Sequence, residues 1–406
     1  MISTLPYLEY LTYLAVILLI GVVLSIISNK LKIPNLLFLI LVGIGLNHIY
    51  YQGNKLIQFS PLFLTSISVL ALVMIVFDST SRFKLKEFDT LSTRTLKLTG
   101  FFIFFNMIFL TLSTLFIADM PFNLNSVFLA LIFSAIMSGT DPGSVLTLFK
   151  EKTNRITELL KVEAIINTPF NVLLPFIFLD LMASIKIDLF SESLEQIAPF
   201  LKQIITGVGA GIVVGIIIFK IMRKRYSKTF SPLAIFIAAL LTYILAENLG
   251  GNGVLAVTTL GLFFGNVYIK EKTELTKFSS TLTNSLEILV FVLVGFIVDI
   301  PLNLNFFLMS FVLFIIYILI RFLAVIISFL GEDYNIMEKV FMSLNVTKGI
   351  AVAVVALILA TYNIEGFTMI SHLIILFMLY SVILSSAAIR FSKYFIKITA
   401  QPEKIK

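Results

Sequence analysis

Ser138-Gly139-Thr140-Asp141-Pro142-Gly143 interrupts an apolar run that otherwise reads from Ser126 to Phe149 as one segment. Asp at a bilayer centre costs about 2.5–3.5 kcal/mol on insertion scales, so such a residue usually lines an ion or substrate path. Pro142 has no backbone N–H to donate, and the glycines weaken a helix on both sides. The pattern predicts a broken helix with an acid at the break, able to hold a desolvated cation or a proton. A second polar group follows: Glu163, Asn167 and Asn171 are spaced four apart, on one helical face. Thr168 lies beside them, and Pro169 frees a backbone carbonyl one turn earlier. A third, Asn345, Thr347 and Lys348-Gly349, sits between long apolar runs. An unpaired charge in hydrocarbon is far more costly than a paired one, so Glu163 and Lys348 are expected to form an ion pair.

Other polar residues carry two readings each. Asp78 closes an apolar segment four residues before Arg82, and reads either as an acid facing the site or as half of a local pair. Arg321 is expected to snorkel to the interface, with an accessory site role as the second reading. Asn171 is either accessory to the site or a bridge between helices.

The elements that must position these groups are membrane helices. Of 406 residues, 59% are hydrophobic and only 13% are charged, with mean hydropathy +1.04, a balance of polytopic helical membrane proteins. A crossing helix needs about 20 apolar residues. That ruler gives thirteen spans, at about 8–28, 33–50, 61–79, 96–118, 124–149, 157–184, 198–222, 231–249, 252–269, 280–299, 303–329, 336–361 and 366–392. All but five of the 30 Lys and Arg (Lys55, Lys186, Lys202, Arg321 and Lys348) fall on alternate loops of one side. The positive-inside rule then places the N-terminus outside and the C-terminus in the cytoplasm. The +7 net charge is thus a topology signal and not a nucleic-acid patch. No removable leader is expected, because no charged n-region precedes the first span.

Spans 5 and 12 run in opposite directions and carry Gly-containing polar breaks at similar depth. That arrangement predicts an inverted-topology repeat with two broken helices crossing at the midplane, where half-helix dipoles and free carbonyls coordinate ions. There is no cysteine, and only His48 and His372 offer imidazole, so no transition-metal site or other cofactor is expected. No Gly-x-x-x-x-Gly-Lys motif supports nucleotide-driven pumping, and no facing nucleophile–base pattern supports an enzyme.

Thr140-Asp141-Pro142, Val145-Leu146 and Phe149-Lys150-Glu151 resemble the span-5 signature of the monovalent cation:proton antiporters, NhaP/NHE-like branch. Glu163-Ala164-Ile165-Ile166-Asn167-Thr168 is similar to the next signature, which in the family usually reads Glu-Ser-x-x-Asn-Asp. Asn252-Gly253-Val254-Leu255-Ala256 resembles a Ser-Gly-x-Leu-Ala segment, Phe291 to Gly295 a Phe-x-x-x-Gly span, and Lys348-Gly349 stands where Arg-Gly is common.

The resemblance implies exchange of a monovalent cation, Na⁺ first and Li⁺ or K⁺ next, for protons across the cell membrane. It implies a homodimer, with a core of about 96–184 and 303–392 and a dimerisation part of about 8–79 and 198–299. Thr140 would offer a backbone carbonyl, Asp141 a carboxylate, Asn167 its amide, Thr168 a hydroxyl, and Asp78 an accessory acid. Two departures matter: the second acid of the Asn-Asp pair is Thr168, and the preceding Ser is Ala164. A hydroxyl can coordinate a cation but cannot carry the exchanged proton at physiological pH, so that role moves to Asp141, alone or with Asp78 or Lys348. The other functions left open are a carrier of the same fold with altered or no proton coupling, and a non-transporting membrane sensor.

Overall fold

The computed structural model describes residues 6–396 except 32–33, 52–53, 56, 58, 83–89, 141–154, 185–192, 298–300, 302 and 363. The chain opens with α1 (Pro6–Leu31) and α2 (Asn35–Asn47), then a two-residue ribbon, β1 (Tyr50–Tyr51) antiparallel to β2 (Asn54–Lys55). After α3 (Pro61–Ser81), α4 (Thr90–Phe105) runs through a π-helical turn (Asn106–Leu110) into α5 (Thr111–Ile117). The helices α6 (Leu124–Ser138), α7 (Arg155–Ser184), α8 (Ser193–Lys224) and α9 (Phe230–Asn248) follow. The chain continues with α10 (Gly253–Asn266), α11 (Lys272–Ile297) and α12 (Leu304–Ser328), and ends with α13 (Ile336–Leu344), α14 (Ile350–Thr361) and α15 (Phe367–Arg390).

Among the described residues nine helices are long and apolar enough to cross a membrane, and α2, α6, α10 and α14 are shorter apolar helices. These correspond one for one to the thirteen expected spans, with α4–α5 as one and α13–α14 as one. The chain is a multi-pass membrane protein whose spans are all helical among the described residues. Helix starts are set by short polar side chains that satisfy free N–H groups. Ser60 accepts from Phe63 N, with Pro61 in the first turn, and Asn123 accepts from Ser126 N. Asn335 and Glu338 form a reciprocal capping box on α13.

Most helices pack within one of two groups. The first contains α1, α2, α3 and α8 to α11, with α2 lying along α11 and α10 between α3 and α8. The second contains α4 to α7, α12, α13 and α15, with α7 between α4 and α6 and α12 against α4. Helix α14 lies between them, packed mainly on α3 and α11 and also on α6, α7 and α15, and α3 also touches α7. The α2–α11 contact brings backbones together through Gly43 and Gly295: a Cβ on Gly43 would lie 2.1 Å from the Val292 carbonyl oxygen. In the second group the buried rings of Phe133, Phe314 and Phe377 interlock edge to face, at centroid distances of 5.1 and 5.3 Å.

Helical geometry lapses at both expected positions, although the second half of span 5, from Asp141 on, lies outside the described residues. Helix α6 stops at Ser138, with Gly139 extended (ψ 131°). Residues 345–349 leave helical geometry between α13 and α14, where Gly349 caps α14 with an extended backbone (ψ −173°).

Candidate functional site: the carbonyl end of a half-helix

The end of α6 leaves carbonyls with no partner in their own helix, carrying the negative pole of its dipole. Side chains from two other elements take them. Lys348, from the second break, donates from Nζ to the carbonyls of Met137 (2.5 Å) and Gly139 (2.7 Å) and to the Tyr317 hydroxyl (2.6 Å). An ammonium has three protons, and all three are used. Asn167 of α7 takes the carbonyl between them, donating from Nδ2 to Ser138 O at 2.8 Å, and also reaches Thr140 Oγ1 at 3.2 Å. Asn171, one turn on, lies against Gly139: a Cβ there would overlap the Asn171 side chain, which would have to shift. Thr140, Asn167, Asn171 and Lys348 are therefore gathered around one half-helix end.

The expected ion pair is corrected. Glu163 pairs with Arg321, Nη1 to Oε1 at 2.6 Å and Nη2 to Oε2 at 2.7 Å, and both side chains are fully buried. The reason is geometric: a guanidinium fork matches both oxygens of a carboxylate, whereas an ammonium suits separate acceptors. Arg321 does not snorkel; its Cζ stacks 4.6 Å from the Phe102 ring centroid. Tyr317 and Arg321 lie one turn apart on α12, so this helix supports Lys348 with one residue and Glu163 with the other. Among the described residues no carboxylate hydrogen-bonds to Lys348.

Asp141 lies outside the described residues. Thr168 donates its hydroxyl to the Ala164 carbonyl at 2.6 Å, leaving the oxygen's lone pairs for an incoming ligand. Asp78 pairs with Arg82 at 2.7 Å and accepts from Ser280 of α11 at 3.0 Å, so its bonded partners belong to α3 and α11. Several buried oxygens have no donor among the described residues: Asn167 Oδ1, Asn171 Oδ1, Asn345 Oδ1, Thr347 Oγ1 and, from the π turn, Asn106 Oδ1. The region thus offers oxygen acceptors, the donor set that suits an alkali cation stripped of water.

Sequence reasoning missed Tyr317 and Asn106. Tyr317 had a signal, its position four residues before a buried-span arginine. Asn106 had a weaker one, a lone amide within Phe101-Phe102-Ile103-Phe104-Phe105-Asn106-Met107-Ile108-Phe109.

Comparisons with known proteins agree with this architecture. The family model for "Sodium/hydrogen exchanger, transmembrane" matches residues 14–391. The low-affinity Na⁺/H⁺ antiporter NhaS1 of Synechocystis sp. is 30% identical over 268 residues, which are 64% of this chain and 47% of that protein. The K⁺/H⁺ antiporter NhaP2 of Shewanella sp. (strain ANA-3) is 28% identical over 250 residues, 61% of this chain and 42% of that protein. The Na⁺/H⁺ antiporter NhaH of Halobacillus aidingensis is 26% identical over 295 residues, 69% of this chain and 71% of that protein. The matches thus span less than half the length of NhaS1 and NhaP2. The structure of MjNhaP1 from Methanocaldococcus jannaschii at pH 8 superposes with a TM-score of 0.75 at 19% identity, covering 94% of this chain and 97% of that one. That likeness establishes the fold.

Proposed function

Because the chain belongs to the sodium/hydrogen exchanger family, we propose that it exchanges a monovalent cation for protons by alternating access at the crossing of its two broken segments. The observation that carries this reading is the end of α6, where Lys348 and Asn167 hold three successive carbonyls beside Thr140. A broken helix held open in this way keeps ion-binding oxygens at membrane depth. Asp141, next in the chain to Thr140, supplies the carboxylate that holds either cation or proton. Thr140, Asn167 and Thr168 supply neutral oxygens, and the Glu163–Arg321 pair ties α7 to α12 behind them. Asp78, bonded to Arg82 and Ser280, organises the neighbouring helices α3 and α11. Na⁺ is the first candidate, followed by Li⁺ and K⁺; named relatives include both Na⁺/H⁺ and K⁺/H⁺ antiporters.

The first packing group would form the dimer contact of a homodimer in the cell membrane, and the second the moving core. The N-terminus would lie outside and the C-terminus in the cytoplasm. A second reading, the same fold with altered proton coupling, draws on one observation: Thr168 replaces an acid.

Purified protein in liposomes carrying an internal pH dye tests the proposal. An imposed pH gradient should collapse on addition of Na⁺, Li⁺ or K⁺, and Thr168→Asp should raise the rate by restoring a second titrating group. A gradient that no cation dissipates contradicts exchange. Cation flux that proceeds without moving protons selects the second reading.

A further inference from the structure

Asn106 is a buried amide in one of the most apolar stretches of the chain, and the main chain departs from α-helical geometry at this residue. It is fully buried, and it opens the π turn, in which Thr111 N donates to Asn106 O five residues back. π turns inside α-helices occur frequently at functional sites.

The turn has a definite geometric effect. Asn106 Nδ2 donates to Ser138 Oγ at 3.2 Å, and Thr111 Oγ1 bonds Ser134 Oγ at 2.9 Å. Ser134 and Ser138 are one turn apart on α6. In a regular α-helix, residues five apart point about 140° away from each other. The π turn brings positions 106 and 111 back onto one face, so both can meet the serines. Without the extra residue, the helix could hold Thr111 at Ser134 or Asn106 at Ser138, but not both.

The direction of the amide follows from proton counting. The Ser138 hydroxyl spends its single proton on the Ser134 carbonyl, at 2.8 Å. Its oxygen can therefore only accept from Asn106, which fixes Nδ2 toward Ser138 and leaves Oδ1 as a buried acceptor with no donor among the described residues. The same reasoning fixes Asn167, whose Nδ2 faces the Ser138 carbonyl, and Asn345, whose Nδ2 faces the Phe341 carbonyl at 2.7 Å. Lys348, the nearest cationic donor to this half-helix end, has no proton left to give. Buried oxygens that can only accept, with no donor supplied by their neighbours, suit the coordination of a dehydrated alkali cation.

We propose that Asn106, aimed at the α6 terminus by the π turn, is a ligand of the transported cation, contributing a neutral amide oxygen. This assignment rests on the exchange reading above and adds a ligand from α4–α5, an element that none of the motif residues occupies. A helix-bridging role, the usual one for a buried membrane Asn, needs only the Nδ2 bond to Ser138 and predicts no change in cation affinity.

The test measures half-saturating Na⁺, Li⁺ and K⁺ concentrations for wild type, Asn106→Leu and Asn106→Asp. Two readouts are used: exchange rate in liposomes and cation-dependent thermal stabilisation of the purified protein. The assignment predicts that Asn106→Leu raises the half-saturating concentration by roughly tenfold or more while the maximal rate changes far less, the signature of lost binding. Asn106→Asp, which keeps size and polarity, should strengthen Na⁺ and Li⁺ relative to K⁺ and make half-saturation more dependent on pH. Should the Leu variant fail to fold, the Asp variant decides the question by its cation order. Half-saturation and cation order unchanged in the variants would overturn the assignment while leaving exchange intact. Wild type that is stabilised by cations but moves no protons overturns the exchange reading, and the stabilisation constants then decide the role of Asn106 on their own. Wild type that binds no cation overturns both.

Discussion

Arg321→Met is expected to destabilise the folded protein by about 3–5 kcal/mol, because it leaves Glu163 charged, buried and without its bidentate partner. Glu163→Gln should do comparable damage from the other side. The double variant Glu163→Gln/Arg321→Met should recover much of the loss, since an uncharged pair of similar volume removes the desolvation problem instead of exposing it. Arg321→Lys should not rescue: a point ammonium cannot reproduce two parallel bonds of 2.6 and 2.7 Å or the stack on Phe102. Thermal unfolding of the four variants and wild type in one detergent measures this. Single variants as stable as wild type would show that the pair does not hold α7 to α12.

Lys348→Met is expected to abolish exchange while leaving the protein folded, with a smaller stability loss of about 1–3 kcal/mol for carbonyls left without a donor. The difference from Arg321 lies in what each charge does. Arg321 neutralises a fixed carboxylate, and its loss is a packing and desolvation defect. Lys348 neutralises the carbonyl end of α6, joining the second break to it through Met137 and Gly139, and is held to α12 through Tyr317. Its loss separates the two half-helix ends that frame the site. Tyr317→Phe removes one of its three acceptors and should give an intermediate exchange rate. Liposome flux together with the melting temperature separates these outcomes, and a Lys348→Met protein that still exchanges at the wild-type rate would contradict the role given to Lys348.

The thirteen spans were legible because membrane thickness fixes helix length and because Lys and Arg mark every other loop. The helix interruptions at Gly139 and at residues 345–349 were legible too, since Asp-Pro flanked by glycines and Lys-Gly inside apolar runs are poorly tolerated in a continuous helix. Partner identity was less so. Periodicity places Glu163, Asn167 and Asn171 on one face of α7 but cannot say which helix that face meets. Glu163 faces α12, a neighbour set by packing across 158 residues of chain, and so found Arg321 where Lys348 was expected. Lys348 was expected on Glu163, but two of its acceptors are main-chain carbonyls, which leave no trace in side-chain pattern. The π turn was the least legible feature. An extra residue in a uniformly apolar helix changes which faces align without changing composition, so Asn106 looked like an isolated polar residue until α6 was placed against it.

The central claim is that one carboxylate beside the α6 break binds cation and proton in exclusion, because Thr168 cannot titrate. The most direct test is the pH-gradient liposome assay on Asp141→Asn, compared with wild type, for Na⁺, Li⁺ and K⁺. The account predicts cation-dependent proton movement in wild type and none in Asp141→Asn, with the variant still folded. Proton movement retained in Asp141→Asn would contradict it and place the exchanging group elsewhere.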